Sequence, residues 1–213
     1  NKKDGSMITT VDVETSWQVT STGGYDPSPF HADNILVSVG INDEYYFTNH
    51  SERVDQGCYH KIQSILDKTT LLVGHNIKFD LMWLLESGFK YTGKVYDTML
   101  GEYILNRGIR KSLTLEMSCR RRKIGSKDSR IKEFTDRGIP FQNIPADLVE
   151  EYGRIDVVIT RRLFDSQMDD LKMAKNKGLL MTLKMMNEFL IVLTDMERNG
   201  ININLEDLSN VEK

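Results

Sequence analysis

The chain has 213 residues, enough for one sizeable core with room for an appended piece. Its 39% hydrophobic and 28% charged residues suit a globular protein in water, and no apolar run approaches the roughly 20 residues of a membrane helix. A formal net charge of -3 argues against a general polyanion binder, no secretory signal is evident, and Cys58 and Cys119 lack the spacing of a zinc site or disulfide framework, so an intracellular, reducing compartment is expected.

The polar residues 1–6 read as an appended remnant, with Met7 the natural start. Residues 8–13 are rich in β-branched side chains and predict a strand. Alternation along it sets Asp12 and Glu14 side by side on one face, with Val11 and Val13 on the other. Two carboxylates so close repel until one is protonated or a divalent cation joins them, the plainer alternative being a solvated edge strand. Glycines and prolines in residues 23–29 mark an irregular loop. Residues 35–41 and 44–48 predict two strands around the turn Asn42-Asp43, which completes an antiparallel meander.

A helix is expected over residues 51–66, with Ser51 as N-cap and Val54, Cys58, Ile62, Ile65 and Leu66 at helical spacing. The apolar residues 70–74 predict a strand covered on both faces. His75-Asn76 is then a turn, followed by an apolar helix that stops near Gly88. Asp80 in that helix is costly to bury without a metal or a hydrogen-bonded partner, although the first-turn macrodipole alone is an alternative. Val95-Tyr96 predicts a last strand, and Asp97 is placed to cap the helix through Met99, Tyr103 and Leu105.

Residues 107–132 hold ten cations, among them Arg107, Arg110, Lys111, Arg120, Arg121 and Arg122, against only Glu116 and Asp128. Such a segment, with short helices expected at 113–119 and 129–134, either contacts phosphates or is a solvated face. Pro145 opens a helix through Leu148, Val149, Ile159 and Phe164, and the four-residue spacing of Tyr152 and Asp156 puts them on one face. After the break at Asn176-Lys177-Gly178, residues 179–198 predict a helix whose Leu183, Met186, Phe189, Leu190, Leu193 and Met196 face a core, the methionines serving as packing. Asn199-Gly200 closes it, and Asn204 is expected to cap a last short helix.

Together Asp12, Glu14, Asp80 and Asp156, with Tyr152, offer an oxygen-only donor set that suits magnesium or manganese. Two such ions about 4 Å apart activate a water and steady the leaving oxygen in phosphodiester hydrolysis. The stretches Val11-Asp12-Val13-Glu14-Thr15, Gly74-His75-Asn76-Ile77-Lys78-Phe79-Asp80 and Tyr152-Gly153-Arg154-Ile155-Asp156 resemble the three motifs of the DEDDy 3′→5′ exonucleases. Their order and spacing are similar to the proofreading domain of family A, DNA polymerase I-like enzymes, with the loop at 20–34 nearer in form to phage polymerases. Residues 96–106 resemble the "DTMLESYIL" helix of that group, and Met196-Glu197-Arg198-Asn199-Gly200-Ile201 resembles the segment that opens its polymerase domain.

The resemblance implies a ribonuclease H-like α/β fold, a central mixed five-stranded sheet flanked by helices. It implies an exonuclease domain over 7–175 and, over 176–213, a helical connector to a polymerase domain that lies outside this chain. Two Mg2+ or Mn2+ ions are implied as cofactors. Asp12 would bridge both, Glu14 and Asp156 would hold the one carrying the attacking water, and Asp80 would support the second through water. Tyr152 would orient that water; its ordinary pKa near 10 makes it a poor general base. Asn76 would contact the strand near its 3′ end and Thr15, through its backbone, the terminal sugar. Phe79 stands where tyrosine is common, and Gly153 and Arg154 stand where small or acidic residues are usual; Gly153 loosens a helix by about 1 kcal/mol, and Arg154 is placed to reach a phosphate. Arg107, Arg110, Lys111 and Arg120 to Arg122 complete the candidate substrate contacts. The expected partner is the 3′ end of single-stranded DNA, bound without sequence preference by a monomer, in the host cytoplasm if the protein is phage-encoded. The alternatives are an RNA-trimming exonuclease of the ribonuclease D type and a catalytically silent DNA-binding scaffold.

Overall fold

The structure, a computed structural model, describes residues 7–126, 130–173, 176–202 and 204. Its centre is a five-stranded mixed sheet in the order β5-β4-β1-β6-β7. The β-branched first strand, β1 (Met7–Thr15), pairs antiparallel with β4 (Leu36–Ile41), which pairs antiparallel with β5 (Glu44–Phe47). On its other side β1 runs parallel to β6 (Thr69–Gly74), and β6 parallel to β7 (Lys94–Asp97). Parallel neighbours require crossovers, supplied by α1 (Cys58–Leu66) and α2 (Ile77–Glu86). The expected meander and the five-stranded mixed sheet are both present, and β1 lies at the middle, where the two halves meet.

The loop after β1 contains a small ribbon that the glycines and prolines did not suggest, β2 (Gln18–Val19) paired with β3 (Tyr25–Asp26). The first helix also begins later than the periodicity predicts. Its N-cap is Gly57 in the left-handed conformation, φ 68°, and not Ser51. Ser51 instead bonds through its backbone amide to the Gln142 carbonyl at 3.1 Å, and Glu52 accepts the amide of Ala146 at 2.9 Å. Segment 51–55 thus serves a long-range partner, the start of a later helix, and local periodicity carries no trace of that.

Asp97 caps α3 (Thr98–Leu105) as expected, accepting the amide of Met99 at 2.8 Å. The basic segment forms α4 (Leu115–Arg122) and α5 (Arg130–Thr135); Ser129, expected to open the second of these, lies outside the described residues. The long α6 (Ala146–Lys172) packs across β1, β4 and β6, and α7 (Lys177–Asn199) packs against α2, α3, α6 and β7.

Only part of the apolar surface of α7 is buried. Leu183 and Leu190 are in the core, whereas Met181, Met185, Phe189, Val192 and Met196 are more than half exposed. The expectation that Phe189 and Met196 face a core is corrected, as is the packing role of Met181 and Met185, whereas Met186 is half-buried. The neighbours bury the line Leu183, Asn187, Leu190, Thr194 fully and flanking residues such as Leu179 and Ile191 in part, and the methionine-rich line faces away from it. The final helix expected after Asn204 falls outside the described residues. Among the described residues no helix is long and apolar enough to cross a membrane. Cys58 and Cys119 are both buried.

Candidate active site

The acidic residues of the three motifs come from elements that meet over the C-terminal half of β1. Parallel pairing with β6 ends at Thr10, so β1 continues past the end of that neighbour. There α2 folds back and Asp80, 4% exposed, accepts the amide of Val13 at 3.0 Å through Oδ1. Val13 is the residue between Asp12 and Glu14. A carboxylate at the start of α2 thereby substitutes for the missing strand and stands beside the first motif. Burial and then the charge of Asp12 push its carboxyl well above the usual range, opposed by the amide bonds from Val13 and its own backbone.

The third motif arrives on α6, with Asp156 buried and Tyr152 half-buried. Two glycines bring this helix close. Gly40 pairs with Asp12 across the sheet, and a Cβ there would lie 2.8 Å from Val157 of α6. Gly153 faces Tyr45 of β5, where a Cβ would stand 2.7 Å from Oη and 2.9 Å from Cζ. The departure at Gly153 therefore has a packing reason. The Tyr45 ring occupies the missing side chain's space, and its hydroxyl bonds to Ser38 at 2.7 Å and donates to the Val149 carbonyl at 3.2 Å. Burial first and then the charge of Glu14 push the Tyr45 phenol well above its ordinary value.

Thr15 is buried, Phe79 packs partly against the main core, and Asn76 is exposed as N-cap of α2 with φ 62°. Asn76 lines two hollows. One, of about 480 Å³, is shared with Asp12, His75, Met99 and Leu113 to Leu115. The other, a groove of about 1010 Å³, runs past Phe30, Phe79, Met82 and Met196.

The basic residues divide. Arg110 and Lys111 are exposed around a hollow with Tyr103 and Ile109, and Arg120 is exposed on α4. Arg107 donates to Asn176 Oδ1 at 2.5 Å. Arg121 and Arg122 do not form a free patch with Arg120: both bind the buried Glu102, at 3.0 and 2.6 Å, and Arg122 also pairs with Asp170 at 2.7 Å. Those pairs hold α4 to α3 and α6; burial pulls the Glu102 carboxyl up, but the hydrogen bond from Gln167 and the two guanidiniums keep it below its ordinary value. Arg154 is pinned by Glu150 and donates to the Asp43 carbonyl at 2.7 Å, with its guanidinium over the Tyr45 ring.

Two features of the site were not anticipated from sequence. Trp17 lies between Tyr25 and Phe141, and Phe141 reaches Tyr152, with ring centroids 5.5, 5.9 and 6.0 Å apart along the series. The signal available was the position of Trp17 two residues after the first motif. His75 joins Thr98 Oγ1 at 2.9 Å and the Leu113 carbonyl at 2.8 Å, and so ties the second motif to the basic loop. Nothing local in the sequence marks that long-range role.

By chemistry the four carboxylates fit a hard divalent cation: every donor is oxygen, and the strain on Asp80 from Asp12 is the kind a shared cation relieves. Among the described residues no group of three or more His, Cys, Asp or Glu side chains forms a ready ion site.

A mixed sheet of this order, with its acidic motifs gathered on the central strand and two flanking helices, defines a ribonuclease H-like exonuclease fold. Solved structures of that fold are similar: NrnC of Brucella melitensis with bound Mg2+, at TM-score 0.64 and 16% identity, covers 91% of this chain and 86% of its own. The catalytic core of RRP6 from Trypanosoma brucei, at TM-score 0.55 and 14% identity, covers 87% of this chain and 46% of its own. In sequence, residues 22–172 match the 3′-5′ exonuclease family found in DNA polymerases of family A, and the chain belongs to that family. The match takes in Asp80, Tyr152 and Asp156 and begins after Asp12 and Glu14. DNA polymerase I of Borreliella burgdorferi is 27% identical over 148 residues, 70% of this chain and 16% of that protein. DNA polymerase I of Chloroflexus aurantiacus is 29% identical over 139 residues, 63% of this chain and 14% of that protein. The chain thus spans about one-sixth of the length of these relatives.

Proposed function

We propose that this exonuclease domain is the proofreading part of a DNA polymerase, removing nucleotides from the 3′ end of single-stranded or frayed DNA with the help of two divalent cations, Mg2+ or Mn2+. The observation that supports the reading is the bond from Val13 to Asp80, which joins the second motif to the first. The two DNA polymerase I relatives support the DNA role. Residues 176–213 are then the connector to the polymerase domain.

Asp12, Glu14, Asp80 and Asp156 would hold the cations, which supply the charge that activates a water and steadies the leaving oxygen. The chain's own part is orientation. Tyr152, braced by Phe141, holds the attacking water by a hydrogen bond, while Asn76 and the Thr15 backbone fix the terminal nucleotide. Arg110, Lys111 and Arg120 neutralise phosphates, and a contact blind to base identity follows.

The test is a 5′-labelled single-stranded DNA with Mg2+ or Mn2+, beside Asp12→Ala and a matched RNA. A ladder shortening from the 3′ end, lost with EDTA and with Asp12→Ala, is expected. Preference for the RNA would favour a ribonuclease D-like role, and binding without cleavage a scaffold.

A further inference from the structure

Asn187 is a buried amide on the inward line of α7, 6% exposed, one turn from Leu183 and Leu190. Its Oδ1 accepts the backbone amide of Asp97 at 3.0 Å. Asp97, itself 1% exposed, uses Oδ1 to accept the amides of Asn76 at 2.9 Å and Met99 at 2.8 Å. One carboxylate therefore caps α3 and also fixes the residue that precedes α2. That residue, Asn76, has φ 62°, a conformation that a non-glycine side chain keeps only where its surroundings hold it. Thr98 adds a second tie, its hydroxyl donating to the Gly74 carbonyl at 3.1 Å. The start of α3 clamps the turn before α2, and α7 clamps the start of α3 from behind.

We infer that Asn187 is a positioning residue of the exonuclease site: by holding Asp97 it sets the turn that presents Asn76 to the strand. The role of Asn76 in this chain of contacts rests on the proposed function. The helix that supplies Asn187 begins at Lys177, beyond the residues 22–172 that match the family, so the site is completed by a segment outside that match. An amide suits the position. Leucine would leave the Asp97 amide without its acceptor, and a carboxylate would place a second negative charge beside Asp97. Asp80 has a tie of its own that does not pass through Asn187, its carboxylate accepting the Val13 amide at 3.0 Å. The loss should fall on strand binding and spare the chemical step.

The experiment uses the whole chain with Asn187→Leu, the milder Asn187→Ser, and Leu183→Ala as a control that loosens α7 without touching Asp97. Hydrogen exchange of the Asp97 and Asn76 amides is followed by NMR, and KM and kcat are measured on 5′-labelled single-stranded DNA with Mg2+. The expected result is exchange at Asn76 faster by tenfold or more and KM raised about tenfold in both Asn187 variants, with kcat within twofold. At a matched loss of thermal stability, Leu183→Ala should show neither change. Unchanged protection of Asn76 in the Asn187 variants, or an equal KM rise in Leu183→Ala, overturns the inference. Should the wild-type chain degrade no nucleic acid, the exonuclease reading fails while the exchange data still decide whether Asn187 controls the turn.

Discussion

Gly153→Ala tests how the third motif is held. In an open helix this change stabilises by about 1 kcal/mol, because alanine loses less backbone freedom than glycine. Here the new Cβ would lie 2.7 Å from Tyr45 Oη and 2.9 Å from Cζ, on a ring that is 5% exposed and bonded at its hydroxyl to Ser38 and Val149. Ordinary carbon contacts need about 3.5 Å or more, so ring and helix must part by roughly 1 Å. Overpacking of this kind costs about 1–3 kcal/mol, which leaves a net loss of up to about 2 kcal/mol after the helix gain. The activity should suffer more than the stability. Tyr152 and Asp156 ride on the displaced helix, and a misplacement of about 1 Å can lower a rate by as much as ~100-fold. The assay pairs thermal unfolding with release of nucleotides from 5′-labelled single-stranded DNA in Mg2+. Adding Tyr45→Ala to Gly153→Ala should restore much of the activity, since truncating the ring vacates the space. If Gly153→Ala is as active and stable as the parent, the packing argument is wrong.

Asp97 carries a pH signature: burial raises its carboxyl from the usual 3.8 to about 6 despite the amide bonds it accepts. The native chain then binds more protons than the unfolded chain between about pH 4 and 6, and stability falls as pH rises through that window by roughly 3 kcal/mol at most. Asp97→Asn keeps an acceptor for Asn76 and Met99 and should flatten that part of the profile in urea titrations at stepped pH; an unchanged slope would count against it. Arg122→Ala strips the buried Glu102 and the half-buried Asp170 of their shared partner and should cost roughly 3 kcal/mol, read as a drop in urea midpoint; a loss under about 0.5 kcal/mol would mean the pairs are solvated. Replacing the exposed Arg110, Lys111 and Arg120 together by glutamine should leave stability within about 0.5 kcal/mol and flatten the salt dependence of oligonucleotide binding; an unaltered slope would make them an ordinary solvated face.

Much of this protein was legible in the linear sequence because the signals are local. The β-branched run of β1, the apolar β6 and the Asp97 cap announced themselves through alternation, burial pattern and capping chemistry, each fixed by residues within one or two turns. The acidic motifs were visible for the same reason, as carboxylates whose spacing puts them on one face of a strand or helix. What the sequence left undecided depends on partners far along the chain. Ser51 looked like a helix cap until its segment was claimed by the start of α6, and Arg121 and Arg122 looked like a phosphate patch until Glu102 and Asp170 took them. Gly153 looked like a weakness until Tyr45 filled its place, and Met181, Met185 and Met196 of α7 looked like core until packing buried the neighbouring line instead. A charge, a glycine or an apolar side chain has no fixed role until another element is brought within a few ångströms, and only the tertiary structure decides which element that is.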